Sequence, residues 1–191
     1  MKIGILGGTF DPVHYGHLIL GEQVQGQLGL DKVIFVPTYQ PPHKDGRRIL
    51  VARHRLRMAQ LAVRRNRHLA VSDIEVRRRG TSYTVDTLRA IKKRYPGAQL
   101  YFICGSDLVN EIPTWKDVGE VHRLARFVLA KRPGYGRRLS GRPYRKIHVA
   151  QVDISSSLIR HLVRQGRSIK YLTPASVVRY IQQHRLYRSR P

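Results

Sequence analysis

Short apolar runs alternate along this chain with segments whose hydrophobic residues recur every three or four positions. The runs at 2–6, 32–36, 69–72, 100–104, 127–130 and 147–152 read as strands. The pattern predicts an α/β fold, a Rossmann-like parallel sheet with helices on both faces. A helix is expected over 16–29. In the next, Ala52, Leu56, Ala59 and Val63 face inward while Arg53, Arg57 and Arg64 form a solvated face. A helix over 84–95 turns Val85, Leu88 and Ile91 inward and stops at Pro96-Gly97. Ser155 or Ser156 caps a helix to about 165, and Thr173-Pro174 supplies an N-cap and first position for a last helix to about 184. Residues 132–146 carry the glycine and proline of a long loop, and 187–191 are expected to fray. With no repeat and no long linker, 1–191 reads as one domain with C-terminal helices.

A chain of 191 residues is long enough to bury a core without disulfides or a structural metal. Cys104 is the only cysteine, and the N-terminus does not resemble a secretory signal, so a cytoplasmic protein is expected. No apolar run approaches the roughly 20 residues of a membrane span. Charge changes the picture more: 36 Lys+Arg against 12 Asp+Glu give a formal net charge of +24. Such an excess suits polyanionic partners. The arginines are scattered along the chain rather than gathered in a tail or stripe, which favours a general surface property over a nucleic-acid site. A basic RNA-binding protein without catalysis is the alternative from another class.

The candidate chemistry begins directly behind the first strand, at Gly7-Gly8-Thr9-Phe10-Asp11-Pro12-Val13-His14-Tyr15-Gly16-His17. Glycines there let backbone N–H groups approach a phosphate, and the following helix points its positive end at the same anion. His14 and His17 add donors suited to phosphate oxygens on which charge builds. Gly8, Thr9 and Phe10 lie where backbone groups would meet nucleotide phosphates, although the Phe10 ring is equally explained as a core aromatic. Asp11-Pro12 reads as turn-shaping. No Gly-Lys-Ser/Thr follows, and G-x-G-x-x-G is not matched, so kinase and dehydrogenase readings lose ground. A zinc pair at H-x-x-H spacing is the bland alternative; the Glu of H-E-x-x-H and a second ligand cluster are both missing, and no metal ligand is assigned.

Near the other end, Ile154-Ser155-Ser156-Ser157-Leu158-Ile159-Arg160 opens a helix. Taken alone it is a capping sequence. Ser155 and Ser156 can also offer donors to a leaving pyrophosphate, with Arg160 one turn further on to meet the same charge. The two segments together resemble the H-x-G-H and I-S-S-T-x-I-R signatures of the nucleotidylyltransferase superfamily, with Ser157 where Thr is usual. Their surroundings resemble the bacterial nicotinate-nucleotide adenylyltransferases.

That resemblance covers nearly the whole chain, 137–146 matching worst, and it implies further roles. Pro41-Pro42-His43-Lys44 resembles a loop in which His43 and Lys44 reach over nucleotide phosphates. Thr84, in Ser82-Tyr83-Thr84-Val85-Asp86-Thr87-Leu88, would meet the pyridine mononucleotide, as would Trp115 by stacking and Arg132 through phosphate. Gly105 would allow close approach of adenosine and Asp107 would bond its ribose or a metal-bound phosphate. Cys104 reads as a small buried residue. The implied activity is transfer of AMP from ATP to nicotinate mononucleotide, with Mg2+ brought by the ATP phosphates. Pantetheine-phosphate adenylyltransferase is the near rival; it usually has Thr in place of His14 and lacks the segments around Ser82 and Trp115. Selectivity for nicotinate over nicotinamide and oligomeric state, a homo-oligomer included, are not legible at this level.

Overall fold

The computed structural model describes residues 1–41, 49–105, 108, 110–131 and 144–188. Six strands, β1 (Lys2–Gly8), β2 (Lys32–Pro37), β3 (Leu69–Val71), β4 (Gln99–Gly105), β5 (Ala125–Lys131) and β6 (Arg145–His148), form one sheet in the order β3-β2-β1-β4-β5-β6. Every pairing is parallel. Around it lie α1 (Tyr15–Leu28), α2 (Ala52–Val63), α3 (Ile74–Arg78), α4 (Thr84–Arg94), α5 (Val118–Leu124), α6 (Ser156–Arg164) and α7 (Ala175–Gln183), with a 3-10 turn at Ile112–Thr114. The expected Rossmann-like α/β architecture is the one observed.

Side chains alternate across each strand, so every central strand feeds two cores. On one face Leu6, Val33, Phe35, Tyr101, Ile103 and Val128 pack with residues of α1, α2, α6 and α7. On the other, Ile3, Ile5, Ile34, Phe102 and Phe127 pack with Val85, Leu88 and Ile91 of α4 and Val121 of α5. Burying one such aliphatic or aromatic side chain contributes about 1.5–3 kcal/mol, so the near-continuous apolar strands drive assembly of both layers. The α1 helix stops at Gly29, whose left-handed φ of 56° lets its N–H reach back to the last helical carbonyls.

Four expectations need correction. The inward face of α2 includes Arg55, 1% exposed, while Leu56 is only partly buried. The predicted strand 147–152 is found as Arg145–His148; beyond it Ala150 N–H turns aside to donate to Gln23 Oε1 (2.7 Å), and Lys146 is strand rather than loop. Pro174, not Thr173, holds the N-cap position of α7, because the Thr173 hydroxyl is buried and donates to the Val13 carbonyl (2.7 Å). Tyr187, expected to fray, donates its hydroxyl to Asp11 Oδ1 (2.7 Å). The short helices α3 and α5 had no counterpart in the sequence reading, since five and seven residues carry too little periodicity to register.

Arg55 and the C-terminal residues together fix the turn after β1. The Arg55 guanidinium donates to the carbonyls of Leu50 (2.7 Å), Thr9 (2.7 Å) and Tyr39 (3.0 Å). Burial pushes its pKa down, and Asp11, Tyr187 and Glu75 act in the opposite direction. Carbonyls 11 to 13 are each claimed from the C-terminal side: Asp11 by Arg160 Nη1 (2.7 Å), Pro12 by Ser156 Oγ (2.8 Å) and Val13 by Thr173. The Asp11 carboxylate, also buried, accepts from Leu50 N–H (3.3 Å) and lies 4.0 Å from Arg160. Burial, and then the neighbouring Asp11 charge, push the Tyr187 hydroxyl pKa well above its ordinary value.

Arg55→Met leaves three partly buried carbonyls without their shared donor and is expected to lower stability by about 3 kcal/mol, read from urea denaturation. Tyr187→Phe is expected to cost about 1 kcal/mol near neutral pH. Because the folded-state pKa of this phenol is raised, its contribution is complete below the unfolded value of about 10 and is lost as pH rises beyond it. Urea midpoints of wild type and variant should therefore converge in alkaline buffer.

Candidate active site

In open parallel sheets ligands bind beyond the carboxyl ends of the strands, where the strand order reverses. Here that point lies between β1 and β4, and two cavities meet there. One, of about 200 Å3, is bounded by His14, His17, Gly105 and the segment 149–152. The other, of about 330 Å3, is bounded by Gly8, Thr9, Glu75, Thr84 and Trp115. Gly7, Phe102 and Leu108 line both, so the end of β1 is their shared wall.

The first cavity is built on the start of α1. His14, in extended conformation, is the N-cap, and its N–H donates to His17 Nδ1 (3.2 Å), one half of a reciprocal capping box. The two rings lie 3.7 Å apart between centroids, tilted by 32°. With Nδ1 accepting, a neutral His17 carries its proton on Nε2 as a donor. The first turn contains no acidic residue, so the helix end keeps its attraction for an anion. Gly105 closes β4 at the opposite side, and Cys104 before it is buried.

The turn between the cavities explains its glycine and its phenylalanine. A Cβ at Gly8 would lie 2.8 Å from the Phe10 ring, so a larger residue forces that ring out of its place. Phe10 has φ 47° and a ring 2% exposed, packed 5.6 Å from Phe35 and edge-on to His17 at 5.0 Å. Its side chain is core, and only its backbone is free to serve a ligand. Gly8 carbonyl accepts from Thr38 N–H (3.0 Å), which ties the ends of β1 and β2.

The second cavity receives the N-terminus of α4, where Thr84 is the first helical residue after Tyr83. The first N–H groups of a helix have no intrahelical acceptor. Trp115 is partly buried, edge-on to Phe102 at 5.5 Å, and lines the cavity with it. Glu75 and Ser82 are buried in the same wall.

The structure thus brings together Gly8, Thr9, His14, His17, Gly105, Thr84 and Trp115 around the two cavities. Ser155, Ser156 and Arg160 line neither. Ser155 caps α6 by accepting from Leu158 N–H (3.1 Å), while Ser156 and Arg160 brace the turn, Arg160 also donating to Ser157 Oγ (3.2 Å). His43, Lys44, Asp107 and Arg132 lie outside the described residues. Sequence reasoning missed Arg55, Glu75 and Tyr187; for Arg55 a signal existed, its spacing of three from Ala52 and four to Ala59, both buried. Among the described residues no group of three or more His, Cys, Asp or Glu side chains could hold a metal ion. No helix among them is long and apolar enough to cross a membrane.

Residues 5–162 match the model of the cytidylyltransferase-like family. A probable nicotinate-nucleotide adenylyltransferase of Enterococcus faecalis is 45% identical over 186 residues, covering 97% of this chain and 84% of the relative. One of Thermoanaerobacter sp. is 46% identical over 200 residues, covering 98% and 95%. Among solved structures, the Plasmodium falciparum nicotinic acid mononucleotide adenylyltransferase complexed with NaAD has a TM-score of 0.80 at 22% identity, with 97% of each chain covered. The same protein complexed with APC gives 0.78 at 21%, covering 97% and 96%. These last two likenesses concern the fold. Near-complete coverage at this identity, on a sheet whose switch point carries paired cavities and a histidine-capped helix, makes the chain a member of the cytidylyltransferase-like family and, within it, of the nicotinate-nucleotide adenylyltransferases.

Proposed function

We propose that this protein transfers AMP from ATP to nicotinate mononucleotide, giving nicotinate adenine dinucleotide and pyrophosphate for NAD synthesis. The observation that carries the reading is the pair of cavities meeting at Gly7, one headed by His14 and His17 and the other by the start of α4. Two nucleotides placed there approach each other end to end at the glycine turn.

The mononucleotide phosphate oxygen bonds to the α-phosphorus of ATP as the bond to the pyrophosphate oxygen breaks. No protein nucleophile is needed, so alignment and charge stabilisation supply the acceleration. His17, with Nδ1 engaged by His14 N–H, is left to donate from Nε2 to phosphate oxygens. The acidic-residue-free start of α1 favours the same negative charge. In the second cavity, the unpaired N–H groups at the start of α4 favour a pyridine carboxylate over an amide, which brings an N–H donor of its own. Trp115 offers a ring face to the pyridine. Ser156 and Arg160 act by holding the turn that carries these groups. From resemblance alone come phosphate contacts by His43, Lys44 and Arg132 and an adenosine contact by Asp107. Mg2+ is the proposed ion on ATP, and the cytoplasm, where ATP is made available, the proposed location.

Pyrophosphate release from Mg-ATP, with nicotinate mononucleotide, nicotinamide mononucleotide or phosphopantetheine offered separately, tests the reading. Nicotinate mononucleotide is the expected preferred acceptor; preference for either of the others overturns the substrate assignment. His17→Ala is expected to lower turnover by about a hundredfold or more. It also removes a cap, so urea denaturation should register a loss of about 1 kcal/mol, too little to unfold the protein. Turnover within a factor of a few of wild type would remove His17 from the chemistry.

A further inference from the structure

The wall of the second cavity holds an acidic group that the reaction above does not use. Glu75 is 5% exposed and lines the cavity beside Ser82, Thr84 and Thr87. Its Oε1 accepts from Thr87 Oγ1 (2.5 Å), and the same hydroxyl lies 3.3 Å from the carbonyl of Tyr83, the residue before α4. Its Oε2 is buried and makes no hydrogen bond of ordinary geometry, although the Ser82 hydroxyl is near enough to stabilise the carboxylate. Thr38 Oγ1, on the neighbouring wall, is buried and unpartnered as well. Two unsatisfied polar atoms on one cavity are costly unless a ligand meets them.

The substrate assigned to this cavity carries a phosphate and a ring carboxylate, both negative. An ionised Glu75 in the wall would repel it, whereas a neutral carboxyl can turn an O–H toward it. We propose that Glu75 is a specificity-determining residue that takes up a proton when the anionic mononucleotide binds, presenting a neutral carboxyl to the ligand. The proposal rests on the reading of this cavity as the mononucleotide site. The groups that face Glu75 are Arg78 on its own helix, Arg55 from α2, Ser82 and Thr87 at the start of α4, and Thr38 after β2. Glu111 and Lys116, of opposite sign, also line the cavity, with Lys116 Nζ 4.7 Å from the Tyr83 ring centroid. Burial pushes the carboxyl pKa up; the Ser82 and Thr87 hydroxyls, Arg78 and Arg55 pull it down to a smaller degree. A bound anion adds repulsion on the side of burial, and by linkage a ligand that raises the pKa of a site is bound with proton uptake.

The experiment is calorimetric titration of nicotinate mononucleotide into the whole protein near neutral pH, in buffers of different ionisation enthalpy, for wild type and Glu75→Gln. The expected result is proton uptake in wild type exceeding that of Glu75→Gln, whose amide keeps the shape but does not titrate. Correspondingly, KM for the mononucleotide rises with pH in wild type, by up to about tenfold per pH unit, more steeply than in the variant. The difference between the proteins cancels protons taken up by the ligand phosphate or by His14 and His17. Equal uptake in the two folded proteins overturns the proposal. Should Glu75→Gln fail to fold, infrared difference spectra of wild type decide: a protonated-carboxyl band gained on binding supports the proposal and its absence overturns it. Folded wild type that binds ATP but no mononucleotide overturns the site reading itself, and the proposal with it.

Discussion

A single buried guanidinium holds the open end of this sheet together. Beyond the ends of β1 and β2, the carbonyls of Thr9 and Tyr39 lie past the last strand pairing, in partly buried positions. Arg55 donates to both and to Leu50, where the chain re-enters toward α2. Placing a cation there costs solvation, and only a fork of donors matched to several fixed acceptors, with Asp11 nearby, makes the arrangement favourable. Lysine, with one compact ammonium, could not span three carbonyls so placed. Thr9 borders the second cavity, so the shape of that cavity is set from behind by a residue that never reaches it.

The turn after β1 is held from a second direction by α6, the approach to α7 and Tyr187. This division of labour separates groups that frame the site from groups that face it. Arg160 and Ser156 bear the chemistry expected of phosphate ligands, and in this structure Ser156 Oγ and Arg160 Nη1 donate to backbone carbonyls of the turn while Arg160 Nη2 donates to Ser157 Oγ. The histidines are seated in part by a cap of their own making, with the Phe10 ring edge-on to His17 beside it. The large positive charge of the chain adds to this a field favourable to the approach of anions, both proposed substrates included.

Local pattern told most of the architecture. The six strands carry their own apolar runs, and the glycine turn, both histidines, Gly105, Thr84 and Trp115 are found at the cavities where their positions along strands and helices put them. What was not legible depended on partners far away in the chain. Glu75 resembles any acidic residue of a short helix until Thr87 and Ser82 bury it. Thr173 is a good N-cap by composition, and it lost that place to a stronger competitor, the Val13 carbonyl. The strand near 147 ends at His148, paired with Lys131, because Ala150 N–H goes to the distant Gln23 side chain.

The bond from Tyr187 to Asp11 joins positions 176 apart, and it has a consequence for the order of synthesis. A nascent chain leaves the ribosome with its glycine turn first, while the residues that claim carbonyls 11, 12 and 13 are still to be translated. The catalytic end of the sheet is therefore among the earliest segments made and among the last completed.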